Sequence, residues 1–346
     1  MSYKQTKIWS VDNSFESEEN LRLLREAALW IKKGEVIAFP TETVYGLGAN
    51  ALEEEAVKKI FEAKGRPSDN PLIVHIAETH QLKELVADIP TVAEQLMKHF
   101  WPGALTLIFK KKQVVAPSVT AGLETVAVRM PDHDVARALL KEAGVPVAAP
   151  SANLSGKPSP TTAQHVYHDL VGRIRGIVDG GKTGVGLEST VLDCSKPVPV
   201  LYRPGGVTKE EIEAVIGPIE VDPALLAADQ TPASPGMKYK HYSPVGTVYL
   251  VQDTAKIPDL VSRAKKDGKR VGVLTTVENE GKYEADVVVA CGSRMKLATV
   301  ASELYQSLRR FDDDEVEVIF AEMFPYEGLG IAIMNRLEKA AAGEIR

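Results

Sequence analysis

Val145-Pro146-Val147-Ala148-Ala149-Pro150-Ser151-Ala152-Asn153-Leu154-Ser155-Gly156 runs from a short apolar stretch straight into small hydroxyl and amide side chains. Val145 to Ala149 reads as a strand, and the polar residues after it stand where ligands gather in α/β proteins, outside the carboxyl ends of the strands. Around this segment helical and strand patterns alternate. Ser17 to Lys33 has the marks of an amphipathic helix: Ser17 as N-cap, Glu18 and Glu19 in the first turn, Leu21, Leu24, Ala28 and Ile31 on one face, and Gly34 as stop. Helices are also expected near 53–63, 92–100, 134–143 and 162–170. Strands are expected over Val36 to Phe39, Leu72 to Ile76, Leu105 to Phe109, Val126 to Met130, Gly176 to Val178, Thr190 to Leu192 and Val198 to Leu201. Several connections are too short for crossovers, so the sheet should contain antiparallel pairs and not be purely doubly wound.

The length of 346 residues exceeds what one hydrophobic core usually serves. Between Gly217 and Pro244 the periodic pattern stops, and Gly-Pro, Asp-Pro, Thr-Pro and Ser-Pro pairs recur, as in a stiffened linker. Beyond it strands over 246–251, 270–274, 285–289 and 316–320 alternate with helices over 255–266, 296–310 and 330–341. The fold class is therefore α/β: a mixed twisted sheet with helices over residues 1–216, a Pro/Gly-rich linker over 217–244, and a smaller Rossmann-like α/β domain over 245–346.

A net charge of -6, with 25% charged and 44% hydrophobic residues, fits a folded soluble protein and argues against one whose main task is gripping a nucleic-acid backbone. Stable nucleic-acid binding is not expected. Cys194 and Cys291 are the only cysteines; they show neither CxxC nor metal-ligand spacing and read as buried free thiols, with no metal site. The opening residues lack the apolar core of a signal peptide and no run is long enough for a membrane helix, so a cytoplasmic location is expected.

Lys64-Gly65-Arg66-Pro67-Ser68-Asp69-Asn70-Pro71-Leu72 places two cations and an amide within seven residues, held by prolines. A basic helix terminus accounts for Lys64 and makes Gly65 the residue after the helix. It leaves Arg66-Pro67, Asn70 and Pro71-Leu72 unexplained, and with Ser151 and Asn153 the set suits a nucleotide triphosphate. A third stretch, Pro40-Thr41-Glu42-Thr43-Val44-Tyr45-Gly46-Leu47, lies upstream.

Together the three stretches closely resemble the YrdC-type family, and the chain as a whole resembles that family's long, two-domain form. In the family a Lys, Arg, Ser, Asn tetrad surrounds the nucleotide, and Lys64, Arg66, Ser151 and Asn153 match it in type and order. The resemblance implies an ATP-dependent nucleotidyltransferase that forms threonylcarbamoyl-adenylate and pyrophosphate from L-threonine, bicarbonate and ATP. This is the first step of the N6-threonylcarbamoyladenosine modification of tRNA, with the threonylcarbamoyl-transfer machinery downstream. Mg²⁺ would travel with the ATP phosphates. On the ATP side the resemblance adds Asn70, Thr125, Ser159 and Arg203; on the threonine side it adds Thr43, His75, Arg129 and Ser189. Taken alone, Arg129 reads equally as a carboxylate clamp or a surface arginine at a strand end, and His75 as a half-buried strand histidine. The resemblance further implies that the linker folds over the site as a lid, with Lys238, Tyr239 and His241 meeting the nucleotide or pyrophosphate.

Gly176-Ile177-Val178-Asp179-Gly180-Gly181-Lys182-Thr183 matches a P-loop letter for letter. The context does not: Ile177 and Val178 read as strand residues, and Gly184-Val185-Gly186 follows where a helix should open. Lys110 to Lys112 and Asp312 to Glu315 read as solvated turns. Two other functions stay in view. One is a carbamoyl-adenylate-forming carbamoyltransferase, whose relatives carry cysteine-rich zinc modules that two isolated cysteines cannot supply. The other is an RNA-binding module, against which the acidic balance counts.

Overall fold

The computed structural model describes Tyr3 and residues 5–12, 17–225 and 242–341. These form two compact units. The first comprises the described residues up to 155, 160–184 and 188–225; the second comprises 156–159, 185–187 and 242–341.

The first unit is built on strands β1 (Lys7–Ser10), β2 (Ile37–Phe39), β3 (Gly46–Asn50), β4 (Ile73–His75), β5 (Leu105–Lys110), β6 (Thr125–Arg129), β7 (Val147–Ala148), β8 (Gly176–Asp179), β9 (Thr190–Asp193), β10 (Val200–Arg203) and β11 (Glu220–Val221). Its helices are α1 (Glu18–Lys32), α2 (Glu54–Lys64), α3 (Leu82–Leu85), α4 (Thr91–Phe100), α5 (Pro117–Thr120), α6 (Asp134–Ala143), α7 (Ala163–Leu170) and α8 (Lys209–Ile216). The sheet order is β1-β8-β2-β3-β7-β4-β6-β5-β9-β10-β11. It is mixed, as the short connections required: β2–β3, β4–β7, β5–β6 and β9–β10 are antiparallel, whereas β4–β6 and β5–β9 are parallel.

Alternation along the strands divides the core between two faces. Ile37 and Phe39 pack with Trp9 and with Leu24, Ile31, Leu139 and Leu140 of α1 and α6. Val36 and Ala38 face the other side, with Val57 and Ile60 of α2, Leu96 of α4 and Val166 of α7. Ser17 caps α1 by accepting from Asn20 N–H, and Gly65 ends α2 in the left-handed conformation, φ 65°.

Sequence patterning missed β3, whose Gly46-Leu47-Gly48-Ala49-Asn50 has poor strand propensity. Packing dictates the glycines: a Cβ on Gly48 would lie 2.7 Å from Phe39 Cε1 and 2.8 Å from Val147 Cγ1. It also missed β1, α8 and β11. The Thr208/Glu211 capping box that opens α8 was legible as a T-x-x-E pattern. β11, inside the segment expected to be linker, pairs with β10 and extends the first sheet. Lys238, Tyr239 and His241 lie outside the described residues.

The second unit carries a four-stranded parallel sheet of β12 (Thr247–Val251), β13 (Val271–Thr275), β14 (Val287–Ala290) and β15 (Val318–Glu322), ordered β12-β15-β13-β14. The last strand is thus inserted between the first two of this Rossmann-like layer. Ile257 and Val261 of α9 (Ile257–Lys266) pack on one face with Val271, Val273 and Phe320. On the other face Gly272 lies under Phe311 of α10 (Leu297–Asp313), where a Cβ would stand 2.6 Å from the ring. α11 (Leu329–Ala340) packs against α10. Cys194 and Cys291 are both free and buried, and burial pushes each thiol up to about 12.

Candidate active site

Lys64 is the last residue of α2, and its side chain turns inward, leaving the residue 3% exposed. Its Nζ donates to Ser151 O at 2.5 Å and Asn153 O at 2.7 Å, with Asn153 Oδ1 at 3.4 Å. The loop after β7 is therefore wrapped around the ammonium group by its own backbone. Ser151 Oγ donates to Asn153 Oδ1 at 2.5 Å, Asn153 Nδ2 donates to Leu154 O, and Ser155 N–H returns to Lys64 O. From the other side, Ala152 N–H donates to Tyr45 O and Leu47 N–H to Pro150 O, which ties the loop to β3. Burial first, then the nearby Arg66 charge, hold the Lys64 ammonium well below the ordinary lysine range; Asp169 and Glu188 pull the other way.

Arg66 follows α2 after the single residue Gly65, its guanidinium 5.4 Å from the centre of the Phe61 ring. With Lys58, Glu62, Gly65, Pro67 and Ser68 it lines a cleft of about 510 Å³. Asn70 is buried, and its Nδ2 has no hydrogen-bond acceptor. Amides are not left so without cost in a finished core, and a donor of this kind fits a ligand oxygen.

Of the residues expected on the threonine side, Thr43, His75 and Arg129 come together, while Ser189 is joined to Arg203, which was expected on the ATP side. Arg129 closes β6, fully covered, with Nε donating to Gly103 O at 3.1 Å and Nη1 to Thr43 Oγ1 at 2.9 Å. Parallel register sets His75 of β4 opposite Arg129. Burial and then the Arg129 charge push the His75 imidazole down to about 3, so the ring is neutral at ordinary pH. Its Nδ1 lies 3.2 Å from Ile73 O, which fits the tautomer with the proton on Nδ1. Ser189 Oγ pairs with Thr106 Oγ1 at 2.7 Å, and Arg203 clamps Ser189 through bonds to its carbonyl and hydroxyl oxygens.

Thr125 and Ser159 are the remaining expected residues. Thr125 begins β6 and Arg129 ends it, so about 13 Å of strand separates them. Ser159, fully buried, falls in the short segment that groups with the second unit. The P-loop pattern is accounted for as foreseen: Gly176–Asp179 is β8, and no helix opens at Lys182-Thr183. Two residues not singled out from sequence also belong to the site. Tyr45 donates from its hydroxyl to Gly181 O at 2.6 Å, pinning the loop after β8. Glu42, between Thr41 and Thr43, sets Oε1 2.6 Å from Arg129 Nη2. An acidic residue flanked by two hydroxyls ahead of a glycine strand was the available signal.

Residues 30–205 match the Sua5/YciO/YrdC family model, described as "Telomere recombination", and residues 207–342 match "Threonylcarbamoyl-AMP synthase, C-terminal domain". The chain is 59% identical to a Bacillus subtilis protein named threonylcarbamoyl-AMP synthase, over 99% of both chains. It is 51% identical to the protein of that name from Pyrococcus abyssi, over 93% of this chain and 95% of that one. Among solved structures it is similar to P. abyssi Sua5 complexed with L-threonine, with a TM-score of 0.93 and 49% identity, covering 98% of this chain and 99% of the other.

Proposed function

The chain belongs to the Sua5/YciO/YrdC family in its long two-domain form, and on that premise we propose that it makes threonylcarbamoyl-AMP and pyrophosphate from L-threonine, bicarbonate and ATP. The product is the activated group for N6-threonylcarbamoyladenosine in tRNA. The observation that carries this reading is Lys64: a buried amine fixed by two backbone carbonyls of the Ser151–Asn153 loop, where an anion would favour its charged form.

Two steps are required. The neutral amine of threonine adds to the carbon of bicarbonate, giving N-carboxythreonine and water. The new carboxylate then attacks the α-phosphorus of ATP, and pyrophosphate leaves. No covalent enzyme intermediate is needed; the protein must bring two anions together and hold the charge that develops. We assign Lys64, Arg66, Ser151 and Asn153 to the reacting phosphate, with Asn70, Thr125, Ser159 and Arg203 on the nucleotide and Lys238, Tyr239 and His241 contributed by the linker. Arg129 takes the threonine carboxylate, and Thr43, His75 and Ser189 surround its hydroxyl and amine. A neutral His75 suits hydrogen bonding to a hydroxyl, whereas an imidazolium would repel Arg129. Mg²⁺ enters as the ATP complex. An ion that arrives in this way takes most of its ligands from the phosphates and from water.

No helix among the described residues is long and apolar enough to cross a membrane. We place the enzyme in the cytoplasm with the tRNA-modifying machinery it supplies. The deciding experiment is pyrophosphate release from ATP with and without threonine and bicarbonate, with mass spectrometry of the product. Release that requires both substrates and disappears in Lys64→Ala supports the assignment; release indifferent to threonine overturns it.

A further inference from the structure

Glu42 occupies a position that packing alone does not explain. Both of its carboxylate oxygens are covered, and neither accepts a hydrogen bond of ordinary geometry. Arg129 Nη2 lies 2.6 Å from Oε1, while Nε and Nη1 of the same guanidinium donate to Gly103 O and Thr43 Oγ1, so one arginine nitrogen meets Glu42 and no two-pronged fork forms. His133, whose covered Nδ1 also lacks a partner, has its imidazole lowered by burial, with the Glu42 charge acting the other way. Buried carboxylates are normally saturated with donors, because an unfilled one costs its full desolvation. With one arginine nitrogen facing Oε1 and no donor on Oε2, the carboxylate has room for a further donor, and one that carries positive charge would offset its burial.

An α-amino acid supplies that group. Its carboxylate and ammonium are one carbon apart, and a site that presents a guanidinium beside a carboxylate offers the reversed pair. On the reading above, in which Arg129 takes the threonine carboxylate, we propose that Glu42 is the residue that recognises the substrate's α-ammonium. The same carboxylate then has a place in the first step. As the nitrogen lone pair closes on the bicarbonate carbon and water departs, Glu42 receives the proton that the ammonium gives up, so that ammonium, bicarbonate and carboxylate become N-carboxythreonine, water and a neutral carboxylic acid.

A brace for Arg129 would also sit here, and a pair of ligands separates the two roles. L-Threonine and 3-hydroxybutanoate share the carboxylate and the hydroxyl; only threonine has the ammonium. Binding of each to the full-length wild-type protein and to Glu42→Gln is measured by calorimetry, with ATP binding as the check that the variant is folded. Glu42→Gln should weaken threonine about tenfold or more while changing 3-hydroxybutanoate less than about twofold, because only the charge-assisted bond to nitrogen is lost. Pyrophosphate release at saturating threonine should fall in the same variant. If both ligands weaken together, Glu42 only holds Arg129 and the proposal is overturned; if threonine binds the variant as it binds wild type, it is overturned as well. Wild-type protein that fails to bind threonine would instead refute the threonine-pocket reading on which the proposal rests.

Discussion

Lys64 Nζ and the carbonyl of Asn153 are 2.7 Å apart across 89 residues of sequence. One bond thus joins the end of a helix to the loop after a short strand on the far side of the first unit's chain path. It fixes both halves of the proposed nucleotide site at once, and it does so at the expense of the ammonium's hydration.

That cost is a linkage statement with a definite sign. Below its lowered pKa Lys64 is charged in the folded and unfolded states alike, and above the ordinary lysine value of about 10.4 it is neutral in both. Between the two the unfolded chain binds the extra proton, so the penalty of charging the buried amine is relieved as pH rises through that window. A triphosphate reverses the preference. ATP binding should take up a proton in this window, visible as a dependence of the calorimetric enthalpy on buffer ionisation. Lys64→Met should abolish the uptake and reduce pyrophosphate release by about 10²–10³-fold. Equal proton uptake in the variant would assign it to another group.

His75 gives the acid counterpart. Its folded pKa, about 3, lies below the ordinary value of 6.5, so the unfolded state alone gains a proton as pH falls between them. Stability is present above 6.5 and is lost on going down. Denaturant unfolding should show about 2 kcal/mol less stability at pH 5 than at pH 7 from this residue. His75→Gln should flatten that slope, and an unchanged slope would mean that the ring is protonated in the fold.

The extent to which the sequence disclosed this arrangement depended on the kind of force involved. Helices with strong apolar stripes and caps, such as α1 and α6, were legible within a residue or two, because local patterning and tertiary burial agree there. The residue types of Lys64, Arg66, Ser151 and Asn153 were visible in the sequence, but not that Lys64, closing α2, is held by the carbonyls of Ser151 and Asn153. β3 was not legible, since its glycines are chosen by Phe39 and Val147, which are remote in sequence. Glu42 was hidden for a similar reason: only the register that brings β6 beside β4 and the Thr43 loop reveals that Arg129 faces a carboxylate with open acceptors.

The β3 glycine offers a test of that packing. Gly48→Ala places a methyl group inside contact distance of both Phe39 and Val147, and neither can yield without disturbing the core that includes Ile37 and Val147. We expect a loss of about 1–3 kcal/mol by denaturant unfolding. Because Leu47 and Tyr45 hold the Ser151 loop, threonine and ATP binding should weaken as well. An alanine accepted without cost would show that the strand can shift, and would remove the reason for glycine here.

In the second unit Glu322, fully buried at the end of β15, accepts from Thr275 Oγ1 at 2.6 Å, Tyr283 OH at 2.7 Å, Arg294 Nη2 at 2.7 Å and Asn279 Nδ2 at 3.0 Å. These donors come from β13, the loop after it and the loop after β14, so one carboxylate ties together the carboxyl-end loops of the small sheet. Burial raises its pKa, but the four bonds outweigh that and leave it below the usual carboxylate range. Its contribution is therefore present at neutral pH and is lost as pH falls through that lowered value. Glu322→Ala leaves four donors facing a void and should cost about 3 kcal/mol, with Glu322→Gln milder because the amide oxygen can still accept. The loss should be confined to the second unit, which hydrogen exchange can localise: amides of β13 and β15 should exchange faster while those of β4 and β6 keep their protection. Uniform acceleration in both units would mean that the two unfold as one cooperative body.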